Sequence, residues 1–174
     1  MNSQSKGFSL IELLIVVVVI GIIAAIAIPN LLASRRASNE GSALRSVREF
    51  STAQSAFRAS VGNNNYGSAS ALFAARLIDI KLAAASGVNV GGTPPTNTAR
   101  SGYRFRVQTT PFVPATGVQP TYVVSGVPSR PSGVTQTGTK RYCVTQTGQL
   151  KSSTASISTH YNYAQCGFAP AFIP

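Results

Sequence analysis

The chain of 174 residues has no tryptophan, one methionine, one histidine, two cysteines and only four acidic residues. Each shortage removes a class of chemistry. Hard cations need several converging oxygen donors, and beyond residue 60 the only acid is Asp79. The single histidine, His160, sits in a Ser/Thr/Tyr/Asn-rich stretch without an acidic neighbour. It reads as a surface residue rather than a general base or metal ligand. Gly91-Gly92 has neither the spacing nor the lysine of a phosphate-cradling loop. No catalytic constellation remains, so the chain reads as a non-enzyme that requires no cofactor and no metal.

The shortage of acids leaves a formal charge of +11, from fifteen Lys/Arg against Glu12, Glu40, Glu49 and Asp79. Such a balance attracts polyanions. Apart from Lys6, however, the cations are scattered from Arg35 to Lys151 in runs no longer than two, as on a solvated surface. Tyr103-Arg104-Phe105-Arg106 interleaves rings and guanidiniums, a pattern that serves single-stranded nucleic acid when both kinds are exposed. Strand alternation instead buries Tyr103 and Phe105 wherever the arginines are exposed. Weak, strongly salt-dependent nucleic-acid binding is the expectation.

What the chain has in abundance is apolar sequence near its start. From Phe8 to Ile28 the only charge is Glu12. As a helix this run spans roughly 30 Å, the thickness of a hydrocarbon core. A secretory signal would have a shorter apolar region and no acid in it. Lys6 and Ala25-Ile26-Ala27 imitate such a signal only in part. A carboxylate inside a bilayer costs at least a few kcal/mol and marks a functional site whose partner must be found. Pro29 removes one helical hydrogen bond and predicts a kink, and Gly21 is a second weak point.

Beyond Pro29, Leu44, Val47, Phe50, Phe57 and Val61 recur at helical spacing, with Gln54 the polar exception on that face. Arg36/Glu40 and Arg45/Glu49 are spaced to pair. Phe8 to about Ser60 therefore reads as one helix, roughly 80 Å long, ended by Gly62-Asn63-Asn64-Asn65. Ser68 to Ala85 predicts one or two short helical turns around Leu72, Phe73, Leu77 and Ile78. A loop from Gly87 to Ser101, with Gly91-Gly92 and Pro94-Pro95, follows. Tyr103–Val107 and Thr121–Ser125 read as strands, and Lys140–Thr145 with Gln149–Lys151 reads as a hairpin turning at Gln146-Thr147-Gly148. The fold class is α+β: a long N-terminal helix, hydrophobic then amphipathic, packed on a small antiparallel sheet. Cys143 and Cys166 are either free thiols or, if the head reaches an oxidising compartment, a bridge that holds the aperiodic tail from Ser152 to Pro174.

Lys6-Gly7-Phe8-Ser9-Leu10-Ile11-Glu12-Leu13, with Pro29 the twenty-second residue after Gly7, resembles the class III leader and N-terminal helix of type IV pilins and pseudopilins. The resemblance covers residues 5–36 and continues more weakly over Ser38–Ala43. The head is similar only in architecture, its late cysteine pair resembling the disulfide-closed C-terminal region of pilins. The resemblance implies that residues 1–7 are a leader and that prepilin peptidase cuts between Gly7 and Phe8 and N-methylates Phe8. It implies a filament-core helix at 8–34 and a head at 35–174, the latter comprising helix 35–60, variable loop 61–101 and sheet with tail 102–174. Glu12 would attract the Phe8 amine of a neighbouring subunit, or that of its own chain, and the Gly21-to-Pro29 stretch would loosen on assembly. The implied function is a structural subunit, held in the inner membrane with its head in the periplasm and then polymerised into an extracellular filament. Its partners would be further pilin subunits, membrane lipid before assembly, an assembly platform, motor ATPases and a secretin, and its outputs motility, adhesion or DNA uptake. The alternatives are a type II secretion pseudopilin, whose major forms bind calcium through head acids scarce here, or a minor tip pilin.

Overall fold

A computed structural model describes residues 7–87, 98–155 and 158–168. The chain divides into two compact units, Met1–Arg35 and Arg36–Pro174. One helix, α1, runs unbroken from Leu10 to Ala59, through Gly21 and Pro29. It begins two residues later than Phe8 because Ser9 caps it: the Ser9 carbonyl accepts from Glu12 N at 3.1 Å and Leu13 N at 3.3 Å. Next to Pro29, which lacks an N–H, the Asn30 side chain donates to the Ile26 carbonyl at 3.2 Å. The helix ends where expected, with Asn63 and Asn64 left-handed at φ 45° and 67°.

Within the first unit the apolar side chains from Leu10 to Ile28 are exposed, and the helix holds a stretch of mean hydropathy 3.2. By length and composition it suffices to cross a membrane.

Within the second unit, α1 buries Ala43, Ser46, Val47, Phe50, Ala53 and Gln54. Leu44 and Phe57 only flank this core. Val61 is 65% exposed, because the chain has left the helix before reaching it. The expected pairing of charges along the helix is also corrected. Glu40 accepts from the Thr139 N–H at 2.7 Å and its hydroxyl at 2.8 Å, and Glu49 pairs with Arg100 at 3.2 Å. Tertiary partners with well-placed donors outcompete exposed i,i+4 pairs, which contribute only a few tenths of a kcal/mol.

Two short helices follow, α2 (Ala69–Ala74) and α3 (Ile80–Ala85). Each has a side-chain cap: Ser68 Oγ accepts from Ala71 N at 3.3 Å, and Asp79 Oδ1 from Leu82 N at 2.6 Å. Leu72, Ile78 and Leu82 join the core. The expected Gly91-Gly92 and Pro94-Pro95 loop lies outside the described residues.

The sheet has four antiparallel strands in the order β1 (Tyr103–Thr110), β2 (Thr121–Pro128), β3 (Arg141–Thr145) and β4 (Leu150–Ser153). Tyr103, Phe105, Tyr122, Val124, Tyr142 and Val144 join the core residues of α1. The Phe50 and Phe105 rings lie 5.9 Å apart. Gly126 is required at this contact, since a Cβ there would come within 2.9 Å of the Phe105 ring. The β3–β4 turn uses Gly148 at φ 72°, as the hairpin reading expected.

The opposite face carries a second, smaller cluster of Val123, Cys143, Tyr161 and Cys166. The tail is therefore not aperiodic throughout. It forms α4 (Tyr163–Phe168), tied to β3 by the Cys143–Cys166 disulfide with Cα atoms 6.0 Å apart. Asn162 Oδ1 accepts from Gln165 N at 2.8 Å while Gln165 Oε1 accepts from Asn162 N at 3.1 Å, a reciprocal cap. Because both faces are covered, β2 is buried from Tyr122 to Pro128 and shows no alternation.

Candidate functional site

Ser9 and Glu12 stand three residues apart before an apolar run, the spacing of a capping box. The Ser9 N–H donates to Glu12 Oε2 at 3.1 Å. This local role of Glu12 was legible in Ser9-Leu10-Ile11-Glu12 and complements the expectation of a partner outside the chain. A carboxylate in the first turn also meets the positive end of the helix dipole. Among the described residues no cation pairs with Glu12. Oε1 remains available to a donor beyond the chain.

Around this cap the site is open. Phe8 is 77% exposed. A Cβ added at Gly7 or Gly21 would meet nothing within 4 Å. Glycine inside a helix costs roughly 1 kcal/mol relative to alanine, and no packing within this chain requires it at position 21.

In the head, Arg100 joins three segments, reaching Glu49 at 3.2 Å and Asp79 at 3.4 Å. Tyr103 and Tyr142 stay neutral: burial, then the charge of Glu40, pushes both phenols far up. His160 departs from its reading as a surface residue. It is half-buried, and its Nδ1 lies 2.9 Å from Ser125 Oγ. Burial first, then Arg106 and Arg104, pull its pKa down to about 4. Nothing in the local sequence announces this, because the neighbours come from β1 and β2. Among the described residues no group of three His, Cys, Asp or Glu side chains converges as a metal site, and both cysteines are consumed by the disulfide.

A family model described as the prokaryotic N-terminal methylation motif matches residues 2–28. The chain is 46% identical over 56 residues to the type IV major pilin protein PilA of Myxococcus xanthus, covering 32% of this chain and 26% of that protein. It is 60% identical over 37 residues to the type IV wide pilus major component PilA4 of Thermus thermophilus, covering 21% of this chain and 28% of the relative. The chain thus matches about a quarter of the length of these curated relatives. No solved structure matches. The chain carries the N-terminal methylation motif, and its likeness to type IV major pilins rests on a minority of its length.

Proposed function

We propose that this chain, bearing an N-terminal methylation motif at the head of an exposed apolar helix, is a structural subunit of a type IV pilus. The observation that carries the reading is the conjunction at residues 7–12: an unobstructed glycine, an exposed Phe8 and a single carboxylate at the mouth of a lipid-length helix. Prepilin peptidase cuts between Gly7 and Phe8 and methylates the new Phe8 amine. A backbone with no side chain at Gly7 offers a protease close approach at the membrane surface.

The subunit waits in the inner membrane with α1 in lipid and its head in the periplasm. On assembly, Glu12 receives the Phe8 amine of a neighbouring subunit. Two unit charges about 4 Å apart attract by roughly 4 kcal/mol at an effective dielectric near 20, several times the value in water. A buried, unpaired Glu12 would be strongly unfavourable, so the pair sets register as well as affinity. The contact is heterologous and generates an open helical filament. The stretch from Gly21 to Pro29, short of one hydrogen bond at the proline, lets the helix loosen as subunits pack. Export uses an assembly platform, motor ATPases and a secretin, and the filament serves motility, adhesion or DNA uptake.

Mass spectrometry of the mature N-terminus tests this reading. A methylated phenylalanine at position 8 is expected, and sheared surface fractions should contain fibres of this chain by electron microscopy. A mature chain starting at any other residue refutes it.

A further inference from the structure

The connection between β1 and β2 is a stiff, apolar projection without charge. Pro111, Pro114 and Pro120 each fix a backbone angle in it. The Val113 N–H donates to the Val118 carbonyl and the Thr116 N–H to the Val113 carbonyl, both at 3.2 Å. The Phe112 N–H donates to Asn65 Oδ1 at 2.8 Å. So held, the tip presents Phe112, Val113 and Val118 to solvent, Phe112 being 42% exposed. No charged residue occurs from Val107 to Ser129, in a chain whose net charge is +11.

Near the start of β1 the head has a cavity of about 590 Å³, walled by Ile80, Lys81 and Ala84 of α3 and by Ala99, Arg100 and Ser101. Ile80 gives it an exposed branched apolar side chain. The walls are tied together. Arg100 pairs with Asp79, the cap of α3, at 3.4 Å and with Glu49 of α1 at 3.2 Å. Ser101 and Gly102, at φ 50° and 73°, make the tight turn across which Arg100 and Tyr103 exchange backbone hydrogen bonds. The cavity is therefore preformed, and filling it costs little reordering. Its charges also balance: Arg100 and Lys81 stand against Glu49 and Asp79, two cations to two carboxylates.

Tip and cavity are complementary and do not meet within one chain, because β1, eight residues long, separates them by about 23 Å. The cavity falls within the size range of small-ligand sites, about 300–1,000 Å³, and has room for a phenylalanine ring with a valine beside it. Two heads of this chain repel over most of their surface, since fifteen Lys/Arg outnumber four acids. They approach at least cost where one offers no charge and the other a balanced set. A foreign acidic partner would instead be drawn to the unbalanced cations, away from both features.

We propose that the β1–β2 tip of one subunit, led by Phe112, docks into the cavity formed by Ile80, Ala84 and Ala99 on a neighbouring copy of this chain. The contact joins two different surfaces, so each copy gives one tip and receives another, and in an open array it propagates from copy to copy. It rests on the pilus reading, which brings copies side by side, and adds a contact between heads to the one at Glu12.

Fibres sheared from cells that make the chain with p-benzoylphenylalanine in place of Phe112 supply the test. After irradiation, denaturing gels should show a ladder of cross-linked subunits, and mass spectrometry should place the adduct on residues 80–84 or 98–101 of a second copy. Phe112→Asp, at an exposed position that the fold does not need, should lower fibre yield at least about tenfold. Subunit beginning at Phe8 should stay at its normal level in the membrane, and Phe112→Leu should keep most of the fibre yield. Normal yield from Phe112→Asp, or adducts confined to other regions or to a different protein, would overturn the docking and leave the pilus reading intact. A chain that never begins at Phe8 and forms no fibres refutes the pilus reading itself, and the docking with it.

Discussion

His160 shows how far a single residue's chemistry is set by neighbours distant in sequence. Its imidazole lies against Ser125 and near Arg104 and Arg106, with a folded pKa of about 4 against an ordinary 6.5. The sign follows from proton uptake. Above pH 6.5 the group is neutral in both folded and unfolded chains and contributes nothing. Between 6.5 and 4 the unfolded chain takes the proton first, so stability falls as pH falls; below 4 the penalty levels off. Urea unfolding of the head, followed by tyrosine near-ultraviolet circular dichroism, should therefore lose more stability between pH 7.5 and 4.5 than the His160→Gln variant does. Equal losses would mean that the imidazole titrates normally.

At the scale of elements, the amphipathic half of α1 is joined to the following loop by one buried amide. Gln54 is fully buried, donates to the Gly67 carbonyl at 2.6 Å and accepts from the Gly67 N–H at 2.9 Å. The polar exception on an otherwise apolar stripe is thus the clasp between α1 and the approach to α2. Gln54→Leu fills the space but strands both Gly67 groups away from water, at about 1–3 kcal/mol each. The variant should lose roughly 2–4 kcal/mol in denaturant unfolding, and a loss below about 1 kcal/mol would mean that water reaches Gly67. The tail depends on a comparable device. α4 is six residues long, too short to persist alone. The disulfide across 23 residues contributes roughly 3 kcal/mol on the chain-entropy model.

At the scale of the whole molecule, the two units make opposite demands on solvent. The head has its own core, whereas the apolar side chains of the first unit are exposed along the helix. So long an exposed apolar surface requires lipid or other helices around it. On the proposed function, Glu12 decides between those two environments, since a carboxylate is costly in lipid and compensated beside an amine. Glu12→Gln should preserve much of the hydrogen bond to Ser9 while removing the charge. Processed subunit should accumulate in the membrane with surface fibres reduced at least about tenfold on immunoblots of sheared fractions. Normal fibre yield would show that capping, not charge, is the role of that residue.

The long helix, its lipid-suited start, its end at the asparagine cluster and the existence of an antiparallel sheet were all legible in the sequence. Each rests on local information: apolar period, run length, a cap or a turn glycine. The Ser9–Glu12 cap and the reciprocal cap at Asn162 and Gln165 are equally local, each carried by a three-residue spacing. Other features needed the folded chain. Strand β2 gave no alternation because the tail buries its second face, and Glu40 and Glu49 abandoned their helical neighbours for partners near residues 139 and 100. His160 looked like a surface residue until the fold set it on Ser125 beside Arg104 and Arg106. The sequence alone determined which segments pair with themselves, because those forces act over a few residues. Only the tertiary structure decided which charges are left without a counterpart, because that depends on where every other charge has gone.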